Sequence, residues 1–363
     1  MNLVLTGPMG VGKSAVGIRA AKVLGRDFVD TDKIVEERAG HSINELFAKK
    51  GERHFRVLEN KVIEKISRKD NTVIATGGGV VLNPKNMKML RSNGVIITLQ
   101  APLSILLERL KNVTDRPLLG TERDKKRLKR YLDERARFYS NTDHRIDTGK
   151  MRIEDVVARV CDIARMPRVR ICGCISGKKA KADIRTAIEN GVSMIELRLD
   201  LIPHPDIRSL IKMSSVPVIA TDRKNKKRLM EAINAGCDLV DIETGSPEKD
   251  RAIRLAKKMG CKVIASFHDF DAVPWAFPDK GDADLLKIAV MINSKKDIQR
   301  IVDIYGHRDD VILVGMGKLG VNLRVIAPLL GSFLTYCYIG RRTAPGQLDL
   351  LTMNKIYKEL GLR

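Results

Sequence analysis

Aromatic residues are scarce in this chain: eight Phe, six Tyr and one Trp make up 4% of 363 residues. Proteins that read nucleic acid rely on stacking platforms or on a recognisable reader motif. Neither a helix-turn-helix pattern nor an RNA-binding sheet motif occurs, so nucleic acid is not an expected partner despite a formal charge of +22. The cations are spread along surface helices such as "RDKKRLKRYLDERARFY", a distribution suited to attracting small anionic substrates. Long apolar runs are also missing. None reaches the roughly 18 residues of a membrane span, and "MNLVLTGPMG" enters a strand and a glycine loop directly, without a basic leader and cleavage site. A cytoplasmic location without a membrane partner is expected. Paired zinc-type cysteine spacing is absent as well. Cys161, Cys172, Cys174, Cys237, Cys261 and Cys337 mostly lie in apolar strands or helices, where reduced structural thiols are expected.

What is present is a strand-and-helix alternation that runs twice. In residues 1–165 the strands "MNLVLTG", "TVIATGG" and "VIITLQ" alternate with longer helical patterns, which implies a parallel sheet covered by helices. After "ARMPRVR" the pattern restarts over residues 169–363 with eight strands: "VRICGCIS", "MIELRLDL", "PVIATD", "LVDIE", "KVIASFHDF", "LLKIAVMI", "VILVGMG" and "SFLTYCYI". Helical segments ending in Gly separate most of them. Eight such units predict a closed (β/α)8 TIM barrel, with its chemistry at the carboxyl ends of the strands. Glu196, Arg198, Arg223, His268 and Lys287 cluster there in the sequence.

In the first half, "GPMGVGKS" satisfies G-x-x-x-x-G-K-[ST] between a strand and a helix. Gly7, Gly10 and Gly12 let backbone N–H groups close around phosphates, Lys13 reaches the β/γ oxygens, and the Ser14 hydroxyl takes a Mg²⁺ position. The motif specifies a nucleotide and leaves the acceptor open. "FVDTD" supplies two carboxylates, Asp30 and Asp32, one suited to a metal and the other to a hydroxyl. The alternative is a helix N-cap beside a structural Asp. "GERHFRVLE" adds Arg56 and Glu59, "ATGGGVV" adds Gly77, Gly78 and Gly79 where backbone can approach a ligand, and "DRPLL" adds Arg116.

These residues resemble shikimate kinase over almost all of residues 1–160. The resemblance implies that ATP is the co-substrate with Mg²⁺, that Asp32 grips and deprotonates the acceptor hydroxyl, and that Asp30 helps Ser14 hold the metal. It places Arg56 and Arg135 on the shikimate carboxylate, Gly77–Gly79 along the ring, Arg116 on a lid over the transferring phosphoryl group, and Arg109 against the adenine. A related small-molecule kinase such as gluconate kinase would share the loop without needing the two arginines.

In the second half, "DADLLKIAVMIN" puts Lys287 inside an apolar strand. A buried unpaired ammonium tends to give up its proton, and the resulting amine can attack a ketone. His268 ends the preceding strand and can face it. This half resembles type I 3-dehydroquinate dehydratase across residues 169–358. The resemblance implies a Schiff base on Lys287, proton transfers by His268, a substrate carboxylate on Arg324, ring hydroxyls on Glu196, Arg198 and Arg223, and a closing loop with Thr343 and Gln347. No cofactor is needed there. One departure stands out: Lys227 occupies the place where the family carries a glutamate that orients the histidine. Either Asp269 or Glu231 then orients His268 or turnover is poor, with Lys227 expected to lower the imidazole pKa by like-charge repulsion.

Together the two resemblances imply a bifunctional shikimate-pathway enzyme whose reactions are not consecutive. A reductase must act between them, and no segment reads as a dinucleotide-binding unit, so a shikimate dehydrogenase is an expected partner. A homo-oligomer through the barrel is also expected. The competing reading keeps the kinase active and makes the barrel a scaffold or binding module.

Overall fold

The strand "NLVLT" is apolar on both faces, the mark of a parallel strand covered from both sides, and in the computed structural model it is the centre of the first sheet. The structure describes residues 1–110, 125–140, 142–167, 169–306 and 308–362. Internal contacts divide the chain into two units, Met1–Met166 and Pro167–Arg363.

In the first unit β1 (Asn2–Thr6), β2 (Asp27–Asp30), β3 (Thr72–Ala75), β4 (Gly94–Gln100) and β5 (His144–Asp147) form a parallel sheet in the order β2-β3-β1-β4-β5. Leu3 and Leu5 pack into one helix layer with Val16 and Val160, while Val4 packs into the other with Ile63 and Leu90. The order reverses at β1, so a crevice opens at its carboxyl end, where ligands bind in sheets of this kind. β5 escapes a hydropathy reading because only Ile146 of "HRID" is buried.

The second unit has β6 (Ile171–Ile175), β7 (Met194–Arg198), β8 (Val218–Thr221), β9 (Leu239–Glu243), β10 (Lys262–Asp269), β11 (Leu285–Met291), β12 (Val311–Met316), β13 (Thr335–Tyr338) and β14 (Leu348–Asp349). Every ladder is parallel, in the order β12-β11-β10-β9-β8-β7-β6-β13-β14. The eight strands read from the sequence are all present. The sheet curls until its ends meet: the Phe333 N–H donates to Val311 O at 2.7 Å, and the Leu313 N–H donates to Ser332 Oγ at 3.0 Å. The two-residue β14 pairs with the carboxyl half of β13, a ninth strand that no periodicity could reveal. Helices follow the strands except between β13 and β14 and between β10 and β11, where residues 270–284 form a loop whose Val273 and Phe277 pack on the strands.

Alternation along the barrel strands decides what points inward. Leu239, Ile264, Leu285 and Ile312 form an interior layer, and Val240, Ile242, Val263 and Ala265 face the helices. Two residues above the interior layer come Asp241, Ser266 and Lys287, and two further Glu243, His268 and Ala289. Polar side chains in those rings stand at the mouth of the barrel.

Candidate active sites

In the first unit, the loop Gly7–Ser14 turns from β1 into the helix Lys13–Leu24. Gly7, Gly10 and Gly12 have φ of 140°, 77° and 98°, a region that costs glycine little, and a Cβ on Gly7 would strike the Leu99 carbonyl of β4. The helix starts without a side-chain cap, which leaves its first N–H groups for an anion. Lys13 Nζ donates to the carbonyls of Gly7 and Pro8, each at 2.9 Å. Ser14 Oγ donates to Asp30 Oδ2 at 2.6 Å, while Asp30 Oδ1 accepts from the Asp32 N–H at 3.0 Å and caps the helix Thr31–Ala39. Capping and contact with Ser14 therefore coexist on one carboxylate.

A cavity of about 350 Å³ opens beside this loop, lined by Asp32, Arg56, Glu59, Gly77–Gly79 and Arg135 among others. Arg56 spans two carboxylates, Glu59 Oε2 at 2.9 Å and Glu52 Oε1 at 2.9 Å. Burial raises the Glu59 pKa, and Arg56 opposes that shift. Burial also works against the Arg56 charge, but Glu59 and Glu52 outweigh it. Arg135 lies over the Tyr131 ring at 3.8 Å, and its buried Nε has no hydrogen-bond partner among the described residues. The glycine triplet is steric in origin: a Cβ on Gly77 would strike Asp32, one on Gly78 the Tyr131 hydroxyl, and one on Gly79 the Arg56 guanidinium. Arg109 donates to Thr148 Oγ1 at 3.1 Å and Thr148 O at 2.9 Å; it does not line this cavity. Arg116 lies outside the described residues.

The barrel mouth holds a second cavity, about 390 Å³, lined by Glu196, Arg198, Arg223, His268, Lys287, Arg324, Thr343 and Gln347, so every residue expected at this site is brought to one place. Lys287 is 6% exposed, as an apolar strand implies. It is not unpaired, as the sequence alone suggested. Its Nζ donates to Asp241 Oδ2 at 2.8 Å, approaches Glu196 Oε1 at 3.8 Å and lies 4.5 Å from the Tyr336 ring centre. Asp241 also accepts from Ser266 Oγ at 2.6 Å and meets Arg223 Nη1 at 3.0 Å. Burial alone would raise its pKa, but Arg223 and Lys287 hold the carboxyl far below the usual range.

His268 Nδ1 sits 3.0 Å from Glu243 Oε1, so the orienting carboxylate is Glu243 on β9, and neither Asp269 nor Glu231 performs that task. Asp269 instead accepts the N–H groups of Asp271 and Ala272, and Glu231 is exposed. Burial lowers the His268 pKa, Lys287 and Arg223 push it the same way, and Glu243 opposes them. Lys227 is exposed and is not among the main groups that set that balance. Arg223, read from the sequence as a hydroxyl ligand, is held at 2.7 Å by Glu243 as well as by Asp241. Arg198 forms a two-point pair with Asp200 at 3.0 and 2.8 Å.

Arg324 is 1% exposed. Among the described residues its Nε has no partner and its Nη2 reaches only Pro345 O at 3.4 Å, and burial lowers its pKa to about 10. On the closing loop, the Thr343 N–H and hydroxyl donate to Gln347 Oε1 at 3.0 and 2.9 Å. Gln347 Nε2 reaches Cys174 Sγ at 3.1 Å, and that thiol donates to Glu196 Oε2 at 3.0 Å. Asp241, Glu243, Cys174 and Tyr336 were not anticipated. The available signal was "LVDIE": an acidic residue alternating with Val and Ile in a barrel strand must face inward, toward a buried cation.

The folds and sites define a two-unit enzyme, a P-loop phosphotransferase followed by a barrel with a buried lysine. The shikimate kinase family model matches residues 9–165 and the type I 3-dehydroquinase model residues 171–363. The shikimate kinase of Caldanaerobacter subterraneus subsp. tengcongensis is 50% identical over 159 residues, covering 44% of this chain and 93% of the relative. That of Geobacter metallireducens is 44% identical over 159 residues, covering 44% and 89%. The crystal structure of the 3-dehydroquinate dehydratase from Aquifex aeolicus VF5 is similar at 25% identity, covering 53% of this chain and 98% of that one, with a TM-score of 0.47. The chain belongs to the shikimate kinase family through its first unit and to the type I 3-dehydroquinase family through its second, and so carries two activities of the shikimate pathway on one polypeptide.

Proposed function

We propose that the first cavity phosphorylates shikimate from ATP and that the second dehydrates 3-dehydroquinate through an imine on Lys287. The observation that carries the kinase assignment is a phosphate loop opening into a cavity with an unpartnered Arg135 Nε. ATP phosphates lie along the loop N–H groups and the helix N-terminus, and Lys13 swings to them from its own loop carbonyls. Ser14 and Asp30 are hard oxygen donors 2.6 Å apart at the phosphate end, a pair that fits Mg²⁺; they would hold it, and when bound it neutralises phosphate charge. Asp32 accepts the proton of the attacking hydroxyl. Arg135 and Arg56 take the shikimate carboxylate, with Glu59 fixing Arg56. The assigned roles of Arg109 at the adenine and Arg116 on a lid follow from the family resemblance.

The dehydratase reading is carried by Lys287 and His268 lining one cavity, each with its own carboxylate partner, the buried Asp241 and the half-buried Glu243. Arg324 binds the substrate carboxylate, restoring the charge partner that its burial calls for. His268, neutral because burial lowers its pKa, relieves the ammonium of a proton, and the amine attacks the ketone. His268 returns that proton to the carbinolamine hydroxyl, which leaves as water, and the resulting iminium acidifies the neighbouring C–H. His268 takes that proton and returns one to the departing hydroxyl, and water then releases the product. Glu196, Arg198, Arg223, Thr343 and Gln347 hold the ring hydroxyls and close the site. Both dyads support an active barrel over a spent scaffold.

The test is a pair of assays on full-length variants. Lys13→Ala should abolish phosphorylation and leave dehydration intact; Lys287→Ala should do the reverse and lose the borohydride-trapped adduct with 3-dehydroquinate. An adduct on another lysine, or phosphorylation of gluconate in place of shikimate, would overturn the assignments.

A further inference from the structure

Two successive strand-helix units of the barrel end their helices in the same way. After the helices Lys226–Asn234 and Lys249–Met259, Gly236 and Gly260 adopt φ of 86° and 70°, and a cysteine follows each glycine at once. The Gly236 N–H bonds to Ile233 O at 3.0 Å and the Cys237 N–H to Ala232 O at 3.1 Å; the Gly260 N–H bonds to Lys257 O at 3.2 Å and the Cys261 N–H to Ala256 O at 2.9 Å. Both are Schellman closures, which turn the residue after the glycine back onto its own helix. Cys237 and Cys261 therefore occupy equivalent positions in neighbouring units.

The strands that follow are parallel neighbours, with Leu239 opposite Lys262, and the Lys262 N–H donates to Asp238 O at 2.9 Å. Strand spacing and rise then put the two cysteine Cα atoms about 6 Å apart, inside the span of a disulfide. The side chains converge, Sγ to Sγ, at 3.6 Å, in the apolar layer between strands and helices. Neither is in a disulfide in this structure.

We propose that Cys237 and Cys261 form an oxidation site that closes a disulfide across the bases of β9 and β10. Each Sγ loses its hydrogen, one S–S bond forms, and two protons and two electrons pass to a small oxidant, such as a peroxide or the azo bond of diamide, which is reduced to the hydrazine. This end of the barrel is the stability face. The opposite ends of the same strands carry Asp241, Glu243, Ser266 and His268, so the bond locks the register of the strands that hold the charge network without entering the cavity.

The experiment exposes native full-length protein to diamide, blocks remaining thiols with N-ethylmaleimide and maps unreduced peptides. A pair joining Cys237 to Cys261, lighter by two hydrogens and reopened by dithiothreitol, is expected. The oxidised protein should keep borohydride trapping at Lys287 and gain several degrees in the barrel's melting temperature. Cys261→Ala should lose both the crosslink and the thermal gain, with Cys237→Ala made in parallel in case one variant fails to fold. A crosslink that forms only after unfolding, a crosslink joining other cysteines, or an oxidised protein that melts no higher would overturn the proposal.

Discussion

Replacing Glu243 by Gln keeps the size of the side chain and removes the charge that holds His268. Glu243 Oε1 lies 3.0 Å from His268 Nδ1 and 2.7 Å from Arg223 Nη1. A hydrogen bond to a charged group contributes about 1.5–3 kcal/mol, and Gln retains part of the geometry, so a loss of about 1.4–2.7 kcal/mol in transition-state stabilisation is reasonable, or roughly 10- to 100-fold in kcat. The direction of the pH effect also follows. Burial, Lys287 and Arg223 all lower the His268 pKa, and Glu243 is the group that opposes them. Without its charge the pKa falls further. Because His268 acts as a base, activity disappears as pH falls through that pKa, so the acidic limb of the kcat profile should move to lower pH. Initial rates of 3-dehydroshikimate formation from pH 5 upward would measure this, with borohydride trapping at Lys287 and shikimate phosphorylation as internal controls. Asp269→Asn and Glu231→Gln should leave the profile in place. An unchanged rate and limb in Glu243→Gln, a limb displaced to higher pH, or a larger effect from Asp269→Asn would refute the assignment.

Asp241→Asn leaves the buried Lys287 without its carboxylate, and breaking such a buried pair costs about 3–5 kcal/mol; calorimetry should show the barrel melting several degrees lower, with dehydration impaired and phosphorylation normal. Gly79→Ala would press a methyl group into the Arg56 guanidinium. Its backbone φ of −97° is ordinary, so KM for shikimate should rise at least tenfold with little change in stability or in KM for ATP. The ketone left by dehydration must be reduced before the kinase can act, and co-sedimentation with a shikimate dehydrogenase at low salt should reveal binding at micromolar concentrations; no association under those conditions counts against that partner.

The phosphate loop was legible because its chemistry is local: eight consecutive residues between a strand and a helix carry the glycines, the lysine and the hydroxyl. The eight barrel strands were legible because strands buried on both faces are nearly continuous apolar runs, and Lys287 stood out as a charge inside one of them. His268 could be paired with Lys287 because adjacent parallel strands bring their ends together. Composition and periodicity could not show which carboxylates neutralise that lysine and orient that histidine. Asp241 lies 46 residues from Lys287 and Glu243 lies 25 from His268; only the register of β9, β10 and β11 makes them neighbours. The same holds for Cys174, which reaches Gln347 across 173 residues because β13 pairs with β6 and β14 is laid against β13. Residue types and local spacing determined which groups could do chemistry here, but the closure of the sheet decided which charges meet, since a hydrogen bond depends on distance in space and not on distance along the chain.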